Sequence, residues 1–409
     1  MIHNYSKMNF IMVLLYFIKI LCSVFPEIQP ILEDKGYKGK SEYVAVIDAG
    51  STGTRLNIYE FLEPGYFLNS YFVAKSEPGL STLRDRDKIE KTLKTILDEG
   101  SEFLDSKNIS IKDIPISFQA TAGLRMLSED LTADILENIK LFFHAKQLNV
   151  KDYEIAVIDG MREGIYALES LIYLRTFEKN VIYNLFCKNL ERDNKLRHPD
   201  IEKCSEIILN KNEKDTRKTT YGIIDMGGGS VQVALQLKNK DDNLPERDII
   251  PTHSFFMYVH SFLGYGMKEV MEKIYNHSDF SYCLQKDTKS LETCQDIFKE
   301  IFIDSNNTES LKKIKKPDIN SVDELYLVSY FYDILLQLNI DKRTTLSQIK
   351  RNFLAKCSFL DTEFCRQGFY LINFLDEYKL EDDKEIIVTN QIDGFYLNWS
   401  IGKALSLAE

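Results

Sequence analysis

Two aspartates carry the first chemical signal. Asp48 closes the apolar run Tyr43 to Ile47 and is followed by Ala49-Gly50-Ser51-Thr52-Gly53-Thr54. Asp225 closes the shorter run Gly222 to Ile224 and is followed by Met226-Gly227-Gly228-Gly229-Ser230. Glycine lets backbone N–H groups come close to an anion, and a neighbouring carboxylate can hold a hard cation or its water shell. One such turn could be an acid that only hydrogen-bonds its own loop. Two turns of one design, both carrying hydroxyls (Ser51, Thr52, Thr54 and Ser230), point to phosphate and metal binding.

Two further segments could join such a site. Ala120-Thr121-Ala122-Gly123-Leu124-Arg125 is a strand end with small residues, a hydroxyl and an arginine. Thr121 could face a ligand, or cap the element that follows. Asp159-Gly160-Met161-Arg162-Glu163-Gly164 opens the apolar segment Ile165 to Leu174. Glu163 could be a general base at a helix start, or a first-turn acid favoured by the helix dipole.

The elements that would position these residues are legible from periodicity. Leu56, Asn57 and Ile58, and the run Val231 to Leu237, alternate apolar and polar, so each turn leads into a second strand and each unit is a β-hairpin. A Rossmann fingerprint or a P-loop would lead into a helix instead, and no G-x-x-x-x-G-K-[ST] occurs in the chain. The same unit in each half predicts two related α/β lobes facing one cleft. Between the units, the spacing predicts helices over Lys88 to Leu104 and Leu131 to Phe143, and strands over Ile116 to Ala120 and Ile155 to Ile158. The Lys-, Asn-, Asp- and Glu-rich stretch from Glu178 to Thr219 reads as a surface excursion of the second lobe.

Together, Asp48-Ala-Gly-Ser-Thr-Gly-Thr-Arg55, Ala120-Thr-Ala-Gly-Leu-Arg125, Asp159-Gly-x-x-Glu163-Gly164 and Asp225-Met-Gly-Gly-Gly-Ser-Val-Gln232 resemble the apyrase family. These are the ecto- and endo-nucleoside triphosphate diphosphohydrolases, including the Golgi and endoplasmic reticulum GDPases and UDPases. His260-Ser-Phe-Leu-Gly-Tyr-Gly266, Ser329-Tyr-Phe-Tyr-Asp333 and the stretch Gly394 to Leu405 with the lone Trp399 resemble further family segments. The likeness runs from about Tyr43 to the C-terminus.

The resemblance implies an α/β, actin-like (ribonuclease-H-type) fold of two lobes with a nucleotide cleft between them. It implies Mg²⁺ or Ca²⁺ as cofactor, with Asp48 and Asp225 touching the metal through water. Ser51, Thr52, Gly53, Gly227, Gly228 and Gly229 would hold phosphates, and Arg55 would neutralise their charge or brace the loop. Thr121 would line the terminal-phosphate site. Glu163 would deprotonate the attacking water, with Ser230 and Gln232 orienting it, and Tyr330 or Tyr332 would stack on the base. One departure stands out: Leu168 and Ile172 occupy positions where the family carries tryptophan and asparagine. Loss of the asparagine could shift the helix that positions Glu163.

Composition bounds the alternatives. The chain has 409 residues, 44% hydrophobic and 28% charged, which fits two globular domains. Its net charge of −11 argues against a nucleic-acid partner, whereas a metal ion can offset repulsion toward a nucleoside di- or triphosphate. Residues 1–25 read as a signal peptide or a single N-terminal membrane anchor, because Lys19 interrupts the apolar run below the roughly 18–20 residues a span needs. The first lobe is expected over 40–170, with 390–409 packing back on it, and the second over 171–389. Cys187 and Cys204, Cys283 and Cys294, and Cys357 and Cys365 fall as local pairs, which suggests three disulfides and an oxidising compartment: the endoplasmic reticulum or Golgi lumen, or secretion. No composition signal bears on oligomeric state. Members without a second membrane span favour GDP and UDP, and the same is expected here. The competing readings are a polyphosphate or guanosine-tetraphosphate phosphatase, a sugar kinase or chaperone ATPase of the same superfold, and a secreted nucleotide-binding protein with impaired catalysis.

Overall fold

The apolar run around Val44 is fully buried, and its alternation decides which way the first aspartate faces. In strand β1 (Ser41–Ala49), Tyr43, Ala45 and Ile47 pack into one core while Val44 and Val46 pack into another on the opposite face. Asp48 shares the face of Val44 and Val46, since side chains alternate along a strand. The computed structural model describes residues 41–62, 67–83, 85–182, 219–252, 255–303 and 310–408. The targeting segment and the Cys187/Cys204 pair lie outside them.

The hairpin of β1 with β2 (Thr54–Leu62) is antiparallel, with Asp48 opposite Arg55. Strand β3 (Phe67–Ser76) extends it, and β4 (Ile116–Ala120) and β5 (Val150–Val157) add in parallel on the other side, giving the order β3-β2-β1-β4-β5. Helices α1 (Arg86–Asp105) and α3 (Glu129–Ala145) bury Leu93, Ile96, Ile139 and Phe143 on one face of this sheet. The short α2 (Ala122–Arg125) follows β4 directly after Thr121. Helix α4 (Gly160–Ile182) begins three residues ahead of Glu163 and runs into the stretch read as a surface excursion, so Glu178 to Ile182 are helical rather than loop.

The second sheet repeats the plan. Strand β6 (Tyr221–Met226) forms a hairpin with β7 (Ser230–Leu237), with Asp225 opposite Gln232. With β8 (Ile249–Pro251), β9 (Phe256–Leu263), β10 (Glu324–Ser329), β11 (Arg343–Thr345) and β12 (Glu385–Val388) the order is β11-β12-β10-β6-β7-β9-β8. The five central strands β9-β7-β6-β10-β12 match the first sheet in order and direction, antiparallel on one side of β6 and parallel on the other. This duplicated sheet is the actin-like, ribonuclease-H-type arrangement that the resemblance implies.

Helices α5 (Met267–Tyr275), α6 (Thr288–Ile303), α7 (Tyr330–Gln337), α8 (Leu346–Lys356) and α9 (Glu363–Glu377) cover the outer face of the second sheet. Two disulfides, Cys283–Cys294 and Cys357–Cys365, tie this layer as the local pairing predicts. Between the two sheets lies a third core. Val44, Val46 and Tyr59 of the first sheet and Ile223, Ala234 and Val259 of the second meet α4 and the final helix α10 (Ser400–Ala408) there. Leu168 is fully buried in this core and Ile172 packs against it, so both departures from the family pattern serve as apolar filling. The hydroxyl of Tyr59 lies 2.6 Å from that of Ser400, and the Gly402 N–H donates to Ser170 Oγ at 2.8 Å.

Candidate active site

Strand alternation brings the candidate residues to one side. Asp225 shares a face with Tyr221 and Ile223, and Ser230 and Gln232 share one with Ala234; all the apolar members of these sets belong to the core between the sheets. Asp48 faces that space from the first sheet. The two acid-tipped turns touch. A side-chain carbon placed on Gly228 would stand 2.6 Å from Ser51 Oγ and 2.9 Å from Thr52 Cγ2, so only glycine fits there. In the first turn, the Gly50 N–H donates to the Gly53 carbonyl at 2.9 Å. In the second, the carbonyls of Gly227, Gly228 and Gly229 accept from Met267, Lys268 and Gly264 at 2.8–3.0 Å.

Glu163 sits in the first turn of α4 and is 7% exposed. Its Oε2 accepts from Arg125 Nη2 at 2.6 Å, and the same nitrogen donates to Ser230 Oγ at 3.2 Å. Gln232 Nε2 donates to Ser230 Oγ at 2.8 Å and to Ser261 Oγ at 3.0 Å. Four elements, α2, α4, β7 and β9, thus converge on one hydrogen-bonded group. Thr121 is buried, and its hydroxyl points at the Ala49 carbonyl at 3.5 Å rather than capping α2. Arg55 reaches Asp48 Oδ2 at 3.5 Å, while Asp48 Oδ1 is buried without a hydrogen-bond partner. Tyr330 lines a pocket with Met267, Lys268, Met271, Tyr275 and Gln367, next to the second glycine turn. Tyr332 packs half-buried against the core of the second sheet.

Sequence reading assigned no role to Arg125, Ser261 or Ser329. The first two stood inside segments already singled out, Ala120 to Arg125 and His260 to Gly266. Ser329, which pulls the Asp225 carboxyl down, stood in the segment Ser329 to Asp333.

The electrostatics are those of acids held away from water. Burial pushes the Glu163 carboxyl up to about 7; Arg125 pulls it down, while Asp225 and Asp48 push it up. Burial likewise raises Asp48 to about 6, against the pull of Arg55 and with a further push from Asp225. Asp225 is raised by burial, against the pull of Ser329 and Arg55. A carboxyl raised on folding makes the native state the better proton binder, so its contribution to stability is lost as pH rises through the folded-state value. In chelator, the melting temperature is therefore expected to fall between about pH 5 and pH 7.5. Glu163→Gln should flatten the slope. Thermal melts across that window check this, and a melting temperature that rises with pH in both proteins would refute it.

Comparison with known proteins agrees with this geometry. Residues 35–281 match the GDA1/CD39 (nucleoside phosphatase) family. The chain is 25% identical to nucleoside-diphosphatase uda-1 of Caenorhabditis elegans over 90% of its length and 82% of that protein. It is 23% identical to a guanosine-diphosphatase of Schizosaccharomyces pombe over 90% of its length and 73% of that protein. Among solved structures, nucleoside triphosphate hydrolases from Neospora caninum share the fold, with a TM-score of 0.52, 13% identity and 96% coverage of each chain. A family match over more than half the chain, on a duplicated sheet whose glycine turns meet, makes this protein an enzyme of the GDA1/CD39 nucleoside phosphatase family.

Proposed function

We propose that the enzyme removes the terminal phosphate of nucleoside diphosphates, and of triphosphates more slowly, in the presence of Mg²⁺ or Ca²⁺, with Glu163 as general base. The observation that supports it most is the contact chain Glu163–Arg125–Ser230–Gln232 beside two meeting acid-tipped turns.

Asp48 and Asp225 suit a hard cation. One Asp48 oxygen is buried and unpartnered, and burial raises both carboxyls even though Arg55 stands beside them, so two buried acids share one guanidinium. Among the described residues no group of three or more His, Cys, Asp or Glu could hold a metal ion, which favours contact through water. A bound Mg²⁺ or Ca²⁺ would offset the charge of the phosphates against these acids.

The remaining roles belong to the chain itself. The Gly227 N–H donates to the Ser230 carbonyl, which leaves the N–H groups of Gly228 and Gly229 to offer a phosphate, with Ser51 and Thr52 against Gly228 from the first turn and Gly53 completing that turn. Thr121 lines the terminal-phosphate end, and Arg55 balances charge at Asp48. Arg125 occupies Oε2 of Glu163, which leaves Oε1 to take a proton from water. Ser230, tied to Gln232, orients that water. The pocket beside Tyr330 offers an aromatic face and polar edges to a base, which favours nucleotides over polyphosphate. The cysteine pairs and the targeting segment support the secretory pathway as location. No helix among the described residues is long and apolar enough to cross a membrane.

Phosphate release from a panel of GDP, UDP, ADP, GTP and ATP, with Mg²⁺, with Ca²⁺ and with excess chelator, tests the reading. GDP or UDP is expected to give the highest kcat/KM; the names of the two relatives support a diphosphate, and one of them GDP, and chelator should abolish turnover. Full activity in chelator, or ATP preferred over every diphosphate, would overturn the corresponding part.

A further inference from the structure

The described residues with a side chain and positive φ are Asn108, Gln147, Ser329, Asn339, Lys379 and Asp393. Asn108, Gln147, Asn339 and Lys379 follow the ends of α1, α3, α7 and α9, where a left-handed residue commonly terminates a helix, and Asp393 sits in the turn of a two-residue hairpin. Ser329 differs from all five. It stands at the start of a helix, at φ 59° and ψ −123°. A residue with a Cβ holds such a backbone only under strain.

Topology explains the strain. In the first lobe, Thr121 separates β4 from α2 and sits at φ −107°, ψ −147°. In the second lobe β10 ends at Ser329 and α7 begins at Tyr330, so Ser329 makes the reversal with no spacer.

Direction shows what the strain achieves. Ser329 is paired in register with Met226, and Leu325, Leu327 and Met226 all point into the core of the second lobe. An extended Ser329 would point the same way, while Asp225 faces the opposite side with Tyr221 and Ile223. With its left-handed backbone, the serine is turned off that path, and its hydroxyl lies close enough to the Asp225 carboxyl to pull it down against burial. Hydrolases of another fold use a strained strand-to-helix turn to present a nucleophilic serine. Here the hydroxyl is turned toward a carboxylate instead.

We infer that Ser329 is a positioning residue for phosphate hydrolysis: its strained backbone holds a hydroxyl on Asp225 and so keeps that carboxylate aimed into the cleft. This rests on the reading of Asp225 as an acid of the metal site.

Two substitutions separate strain from chemistry. Ser329→Gly removes both the hydroxyl and the Cβ that makes this backbone unfavourable, whereas Ser329→Ala removes the hydroxyl alone. Ser329→Gly is expected to melt about 2 °C or more above Ser329→Ala. Both should lose on the order of tenfold in kcat/KM with a nucleoside diphosphate. Both should also need more Mg²⁺ for half-maximal rate, and gain less in melting temperature from Mg²⁺ with a methylene-bridged guanosine diphosphate analogue. A merely structural serine would leave the Mg²⁺ dependence unmoved. The inference falls if Ser329→Gly melts no higher than Ser329→Ala, or if either variant keeps the wild-type rate, Mg²⁺ dependence and analogue response. Failure of the wild type to hydrolyse any nucleotide would instead overturn the phosphatase reading, and this inference with it.

Discussion

Glu163→Gln is expected to lower kcat by ~10²- to 10⁴-fold while leaving nucleotide affinity nearly unchanged. Water is a weak nucleophile near neutral pH, and a carboxylate raised to about 7 by burial is close to the best strength for taking its proton there. The amide keeps the shape and can still hydrogen-bond, but it has no basic lone pair. The turns that would hold the phosphates belong to β1–β2 and β6–β7, not to α4, so binding is expected to survive. Steady-state kinetics, with the methylene-bridged analogue to measure affinity, checks both halves. If Glu163→Gln keeps more than about a tenth of the wild-type kcat, far above what loss of a base allows, then Glu163 is only a first-turn acid.

Arg125→Met should have the next largest effect, and its signature is a displaced pH profile. Arg125 is the cation in contact with Glu163, and both aspartates push the Glu163 carboxyl upward. Without the guanidinium, a buried carboxylate loses its counter-charge and takes a proton instead. At pH 7 kcat is expected to fall about fivefold for one unit of displacement and about fiftyfold for two, as the ionised fraction drops from about a half. The acid limb of the kcat profile should move to higher pH, with part of the rate returning under alkaline conditions. Arg125→Lys should lie between, keeping the charge but not the reach to both Glu163 and Ser230. An unmoved acid limb with uniformly lower rate would mean that Arg125 serves packing or phosphate binding, not the ionisation of Glu163.

Much of this architecture was readable as periodicity. Strand alternation at Leu56 to Ile58 and Val231 to Leu237 predicted both hairpins, and the repeated acid-glycine design predicted two lobes. Helical spacing placed α1 and α3 to within a few residues. What escaped notice was set by three-dimensional registration. Ser261 meets Gln232 across neighbouring strands, and Arg125 meets Glu163 from 38 residues away. Ser329 gave no local sign at all, because left-handed backbone is ordinarily signalled by glycine or asparagine. The family likeness supplied roles for the quoted motifs, but not the contacts that join them.

The core between the two sheets also imposes an order in time. Tyr59 finds its partner Ser400 across 341 residues, and the α4 residue Ser170 waits for Gly402 across 232. A ribosome adding ~5–20 residues per second needs roughly 20–70 s to cover the longer separation. Throughout that interval the nascent first sheet presents the apolar face of Val44, Val46 and Phe61 without the helix that covers it. The helix bearing Glu163 is made early, yet the wall behind it arrives last. Chaperone dependence should therefore concentrate on this one face, and a chain interrupted before α10 would be released with the Glu163 helix unbacked.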